Sequence, residues 1–254
     1  MCVPANTLLA RAADASLRAM PLRTLAAAAL LLVARPAHAD PAGVQLAKKI
    51  VAAYGGEAKL RAIKTLQSRH SMTLLFGDKK VEMNGVGYFQ TPRSHRQEMT
   101  VGGQMQIAVL TEKVAFMQFG DKVQELSEDD ARMARKASEH DIIPGLRVLR
   151  ALDEKRALAA TTGSLGGTKS DVLEIKDADG DVEKLYVDKA SHLLVGHETA
   201  RQRGTVREHK TFEGIPVPSA LRMDAGEQAY ESRLLDLKIN PALKPEIFRK
   251  PAKK

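Results

Sequence analysis

The chain has 254 residues, 44% of them hydrophobic, with 39 Lys+Arg against 31 Asp+Glu, no Trp and one cysteine. The basic charge is dispersed and is not interleaved with aromatics, which argues against a nucleic-acid surface. The single thiol, Cys2, lies at the front, so the chain beyond it can form no disulfide, Cys-ligated metal site or Cys nucleophile.

The front end reads as a secretory signal peptide. Arg23 supplies positive charge, Leu25 to Val33 form an unbroken apolar run, and Ala37-His38-Ala39 gives the small-x-small pattern of a cleavage site. The run is far shorter than the roughly 20 residues that span a bilayer, so no stable transmembrane anchor is expected. Met1 and Met20 are both compatible starts. Cleavage after Ala39 leaves a single domain, 40–254, with 35 Lys+Arg against 30 Asp+Glu, a net +5. Its expected location is outside the cytoplasm, and its size suffices for one substantial core.

Val44, Leu46, Ala47, Ile50, Val51 and Tyr54 recur at helical spacing, and Gly55-Gly56 stops that helix. A short second helix spans Glu57 to Lys64. The period then changes to two. Thr65 to Phe76 reads as a strand with Met72, Leu74 and Phe76 on one face. Lys80 to Gln90 follows with Val81, Met83 and Phe89, and its glycines at 85 and 87 suggest a bend. Pro92 breaks the run. Ser94 to Val101 and Gln104 to Thr111 form a hairpin about Gly102-Gly103, with Met105, Ile107 and Val109 alternating. Val114 to Phe119 and Lys122 to Leu126 complete a meander.

Ser127-Glu128-Asp129-Asp130 then starts a polar helix running toward His140. Asp141 to Ala160 holds another, with Ile142, Ile143, Leu146, Leu149 and Leu152 apolar. Thr161 to Ser170 reads as a Gly-rich loop. Strands resume at Asp171 and continue to Ile239. A Pro- and Lys-rich tail follows, with Ile247 and Phe248 as its only large apolar residues. The expected architecture is mainly β (α+β): a curved antiparallel half-barrel of about ten or eleven strands, with the N-terminal and mid-chain helices as its lid.

No catalytic set stands out. Gly163 to Ser170 approximates a phosphate loop, but Thr168 replaces a required glycine and a strand follows where a helix is needed. The histidines at 70, 95, 140, 192, 197 and 209 have no helical ligand spacing, and the expectation is exposed strand histidines without a metal. Ser164 lacks a nucleophile-elbow context. Acidic pairs such as Asp177/Asp179 sit at turns. What remains is apolar patterning rich in methionine, a flexible and polarizable side chain suited to adaptable surfaces.

Three passages resemble the LolA/LolB-type superfamily of periplasmic lipoprotein carriers and outer-membrane lipoprotein-sorting proteins. They are Ala53 to Leu66 (AYGGEAKLRAIKTL), Thr211 to Pro218 (TFEGIPVP), and the ending Leu237 to Pro241 followed by Ile247 to Pro251. The resemblance implies an incomplete antiparallel barrel of about eleven strands with helices over an apolar cavity. It implies a periplasmic location, lipid or acylated-protein cargo and a possible envelope partner protein; the missing catalytic pattern separately disfavours an enzyme, and no cofactor is expected.

The expected function is therefore an exported, monomeric carrier that shelters acyl chains. The cavity and lid residues would be Met72, Leu74, Phe76, Met83, Met99, Met105, Phe116, Leu146 and Leu149, with the helices between Ser127 and Leu158 opening to release cargo. The alternative is an envelope interaction or stress-sensor module of the same fold with a filled interior.

Overall fold

A computed structural model describes residues 40–91, 93–138, 143–226 and 228–251. The signal peptide expected at 1–39, Cys2, Pro92, His140 and Ile142 lie outside the described residues.

The first helix, α1 (Pro41–Ala53), starts where the Asp40 carboxylate accepts the Ala42 N–H at 3.2 Å and Pro41 occupies the first turn. Its stripe Leu46, Ala47, Ile50 and Val51 is buried. Gly55 and Gly56, both at positive φ, turn the chain into α2 (Glu57–Arg61). A six-strand meander follows: β1 (Thr65–Phe76), β2 (Lys79–Gln90), β3 (Ser94–Val101), β4 (Gln104–Leu110), β5 (Ala115–Phe119) and β6 (Lys122–Glu125). After α3 (Glu128–Ser138) and α4 (Pro144–Asp153) come β7 (Ala157–Leu165), β8 (Thr168–Lys176), β9 (Val182–Val187) and β10 (Leu194–Glu198). The last three are β11 (Arg203–Phe212), β12 (Ile215–Ala225) and β13 (Gln228–Ile239), before a 3₁₀ turn at Pro245–Phe248.

Among the described residues thirteen strands form one antiparallel sheet in the order β6-β5-β4-β3-β2-β1-β13-β12-β11-β10-β9-β8-β7. The mainly β reading holds, but the strand count is higher than ten or eleven. The segment read as a Gly-rich loop is a hairpin: Ser164 pairs with Lys169 and Leu165 with Thr168. Gly166 and Gly167, at φ 58° and 85°, make the two-residue turn that joins β7 to β8. A strand on both sides also removes the phosphate-loop reading.

The sheet has to be strongly curved. A single cavity is lined both by β3 and by β9, which stand seven strand positions apart. In a flat sheet they would be separated by about 34 Å at the usual interstrand spacing. The helices pack into the inner face. One buried cluster joins Leu46, Ile50 and Tyr54 of α1, Leu60 of α2 and Val148 and Leu149 of α4 to Leu66, Leu173, Val187, Val217 and Leu237 of the strands. At Gly145 a Cβ would meet the Tyr54 Cβ at 2.5 Å, so α4 approaches α1 this closely only because the residue is glycine.

The outer face has a smaller cluster of its own: Ile107, Val109 and Phe116 beneath Phe248. The tail is thus docked, and Arg96 Nη1 donates to the Ile247 carbonyl at 2.8 Å. Helix α3, where Ser127 Oγ caps the Asp130 N–H, keeps Met133 exposed. It is tied to the β8–β9 turn by Lys136, whose Nζ lies 2.5 Å from both Asp177 and Asp181 and 3.4 Å from Asp179.

Tyr54 links the helical layer to the far wall. Its ring is fully buried, and its hydroxyl accepts the Leu194 N–H at 3.1 Å. Tyr54→Phe would strand that N–H, and we expect a loss of about 1–3 kcal/mol in urea unfolding with an unchanged m-value. An unchanged midpoint would show that the bond contributes nothing.

Candidate functional site

Period-two alternation sends Ser68, His70 and Met72 of β1 inward, and the register carries the same face onto neighbouring strands. Ser68 opposes Gly87, His70 opposes Gly85 and Met72 opposes Met83; on the next strand Gly87 opposes Gln97 and Gly85 opposes Met99. The two glycines leave the middle strand bare. A Cβ at Gly87 would lie 2.7 Å from Ser68 Oγ, and one at Gly85 would lie 2.6 Å from His70 Nε2. Side chains of β1 and β3 therefore lean across β2 and meet, and the Gln97 amide donates to His70 Nε2 at 2.9 Å. The glycines thus make room for polar side chains.

Below α4 these residues line a cavity of about 110 Å³. Met72, Leu185, Val206, Leu221, Met223 and Leu234 give it apolar walls, while Ser68, His70, His95, Gln97, His197, Ser219 and Ser232 place polar groups among them. Pro144 and Arg147 of α4 form its helical side. Arg147 is ion-paired with Glu183 of β9, both nearly buried at 13% and 6% side-chain exposure. The pair clamps α4 to the far wall; removing either partner would leave an uncompensated charge away from water.

The histidines are not the exposed strand residues expected from their spacing. His197 is buried, His70, His95 and His209 are partly buried, and His192 sits in a turn at φ 56°. Burial pushes His70 down to about 4 and His95 down to about 3, and lowers His209 as well, because charging an imidazole away from water is costly. His70 and His95 therefore face the cavity as neutral imidazoles at pH 7. Ser219 Oγ is buried on the wall with no hydrogen-bond partner among the described residues. Among these residues no group of three or more His, Cys, Asp and Glu is placed to hold a metal ion. No described helix is long and apolar enough to cross a membrane.

The residues expected to form the site are dispersed. Met72 lines the cavity; Met83 and Met99 join it, Met223 and Tyr230 in a buried cluster against which Leu74 packs. Phe76 is partly buried near the end of β1. Leu149 belongs to the main core and Leu146 packs against that core. Phe116 and Met105 lie on the opposite face: Phe116 pairs with Val109 under Phe248, and Met105 pairs with Thr100 and is 53% exposed. Sequence reading missed Ser68, His70, His95, Gln97, His197 and Ser219. The available signal was glycine placed opposite histidine on adjoining strands.

Because the folded-state values of His70 and His95 lie below the unfolded value of about 6.5, the unfolded chain binds more protons as pH falls. Their effect on stability is absent at pH 7 and grows below about pH 6.5, at up to about 1.4 kcal/mol per pH unit for each group. We expect a lower urea midpoint at pH 5 than at pH 7, and a smaller drop in His70→Gln. Equal midpoints would mean that these imidazoles charge freely in the fold.

No family model and no curated protein matches the sequence. Solved structures do match its fold. A DUF1329 family protein from Desulfovibrio piger aligns over 82% of this chain and 96% of its own, at 13% identity and a TM-score of 0.57. A LolA superfamily protein from Nitrosomonas europaea aligns over 82% and 97%, at 11% identity and a TM-score of 0.56. A domain from Vibrio parahaemolyticus, named for outer membrane lipoprotein sorting, aligns over 82% and 96%, at 11% identity and a TM-score of 0.53. The curved sheet with helices against its inner face is thus a fold that this chain shares with these three proteins.

Proposed function

We propose that the protein is an exported carrier that shelters the acyl chains of a lipid or acylated protein on the inner face of its sheet. The observation that carries this reading is the cavity between that face and α4, bordered by the methionine cluster. Methionine adapts to irregular apolar ligands, and each methylene moved from water contributes roughly 0.8 kcal/mol. The fold shared with LolA-type proteins supports the same reading, and the leader-like first 39 residues support a periplasmic location.

At about 110 Å³ the cavity is smaller than the ~150 Å³ that admits a benzene ring. A whole chain therefore requires α4 to lift, and Arg147–Glu183 is the contact that must open. The neutral His70 and His95 and the Ser219 hydroxyl are suited to an ester or polar headgroup at the end of the chain, with the Arg147–Glu183 pair in the same lining.

Native mass spectrometry of protein isolated without detergent, followed by organic extraction, tests this. We expect a stoichiometric adduct that extracts as lipid. Ser232→Leu, which fills the cavity with apolar bulk, should weaken adduct formation roughly tenfold or more while leaving the melting temperature unchanged or higher. A clean mass after incubation with phospholipid and acylated peptide would overturn the carrier reading in favour of an interaction module.

A further inference from the structure

The sheet contains the same three-strand arrangement twice. On β1–β2–β3, His70, Gly85 and Met99 stand in register; on β10–β11–β12, His197, Gly204 and Met223 do. In each, glycine removes the middle side chain, so that an imidazole and a thioether meet above it. His70 Nε2 lies 3.4 Å from Met99 Sδ. Met223 Sδ and His197 Nδ1 lie within 2.4 and 2.8 Å of the point a Gly204 Cβ would occupy. The two arrangements converge, since Met72, Met83, Met99 and Met223 share one buried cluster.

Packing alone would be served by leucine and would give no reason for an imidazole nitrogen to face a sulfur. The Gln97 amide donates to both atoms, at 2.9 Å to His70 Nε2 and 3.4 Å to Met99 Sδ. Both acceptors are therefore aimed at a common donor. A nitrogen and a sulfur 3.4 Å apart can flank one ion at ordinary bond lengths of roughly 2.0–2.3 Å. The donors are neutral and soft, which disfavours calcium and magnesium and selects a soft monovalent cation.

We infer that His70 Nε2 and Met99 Sδ, joined by a thioether of Met72, Met83 or Met223, form a binding site for Cu(I). The Gln97 amide swings aside as the ion enters. The site borders the acyl-chain cavity, sharing His70, Met72 and Met223 with its lining, but it does not require α4 to lift.

The test uses the full chain carrying Cys2→Ser, so that its one thiol cannot compete, with methyl-labelled methionine. Silver(I), a redox-inert soft ion, should shift the methyl resonances of Met99 and at least one of Met72, Met83 and Met223, leaving exposed Met105 and Met133 in place. In competition with a chromophoric Cu(I) chelator, one equivalent should be withdrawn. The near-isosteric Met99→Leu should weaken that withdrawal roughly tenfold or more, whereas Met105→Leu should not. No shift in the cluster, equal shifts at Met105 and Met133, or unaltered Cu(I) affinity in folded Met99→Leu would overturn the site. If Met99→Leu does not fold, the silver shifts in the unsubstituted cluster decide alone.

Discussion

The pairing of β1 with β13 holds the molecule together. Strands β2 to β6 extend outward from β1, and β12 to β7 extend from β13, so among the described residues β1–β13 is the strand pairing that joins the two meanders into one sheet. The seam runs from Leu66↔Ile239 to Phe76↔Gln228, with one irregularity between Arg69 and His70. Asn240 secures one end: its side chain accepts the Lys64 N–H at 2.7 Å and donates to the Ala62 carbonyl at 3.1 Å. The cavity straddles this seam, taking His70, His95 and Gln97 from one meander and Glu183, Leu185 and His197 from the other. A contact between segments this distant in sequence forms only after a large loop-closure cost, so the interior is assembled late.

Burying the inner face is the second demand that curvature meets. Among the described residues α1, α2 and α4 supply the helical side of the main core cluster, and a sheet that curls brings strands from both meanders within reach of the same few helices. Gly145 permits the close approach, Tyr54 spans from helix to strand, and Arg147–Glu183 secures the edge of α4. The last of these is the ion pair among them, and it lies at the cavity. Closure of the helical layer and access to the interior are therefore governed by the same place.

The succession of elements was legible in the sequence because hydrophobic periodicity changes at Thr65 and again near Ser127. The side to which each strand turns was not. A two-residue turn at Gly102-Gly103 pairs Val101 with Gln104, so the odd-numbered inward positions of β3 continue into even-numbered ones on β4. Met105, although it alternates correctly with Ile107 and Val109, thereby falls on the outer face, and Phe116 follows Val109 there. Strand β7 escaped notice because its glycines resemble a loop when read without their partner strand. The histidines escaped because nothing in a single strand reveals that its neighbour leaves space for them.

Gly85, Gly87 and Gly204 also restrict how this interior can evolve. Any side chain at Gly85 would collide with His70 and Met99, and any at Gly204 with His197 and Met223. The glycine and the two residues beside it can change only in concert, one shrinking as another grows. Among descendants of this chain the three members of each row should drift as a unit, so a lineage that abandons the glycine should abandon the imidazole with it.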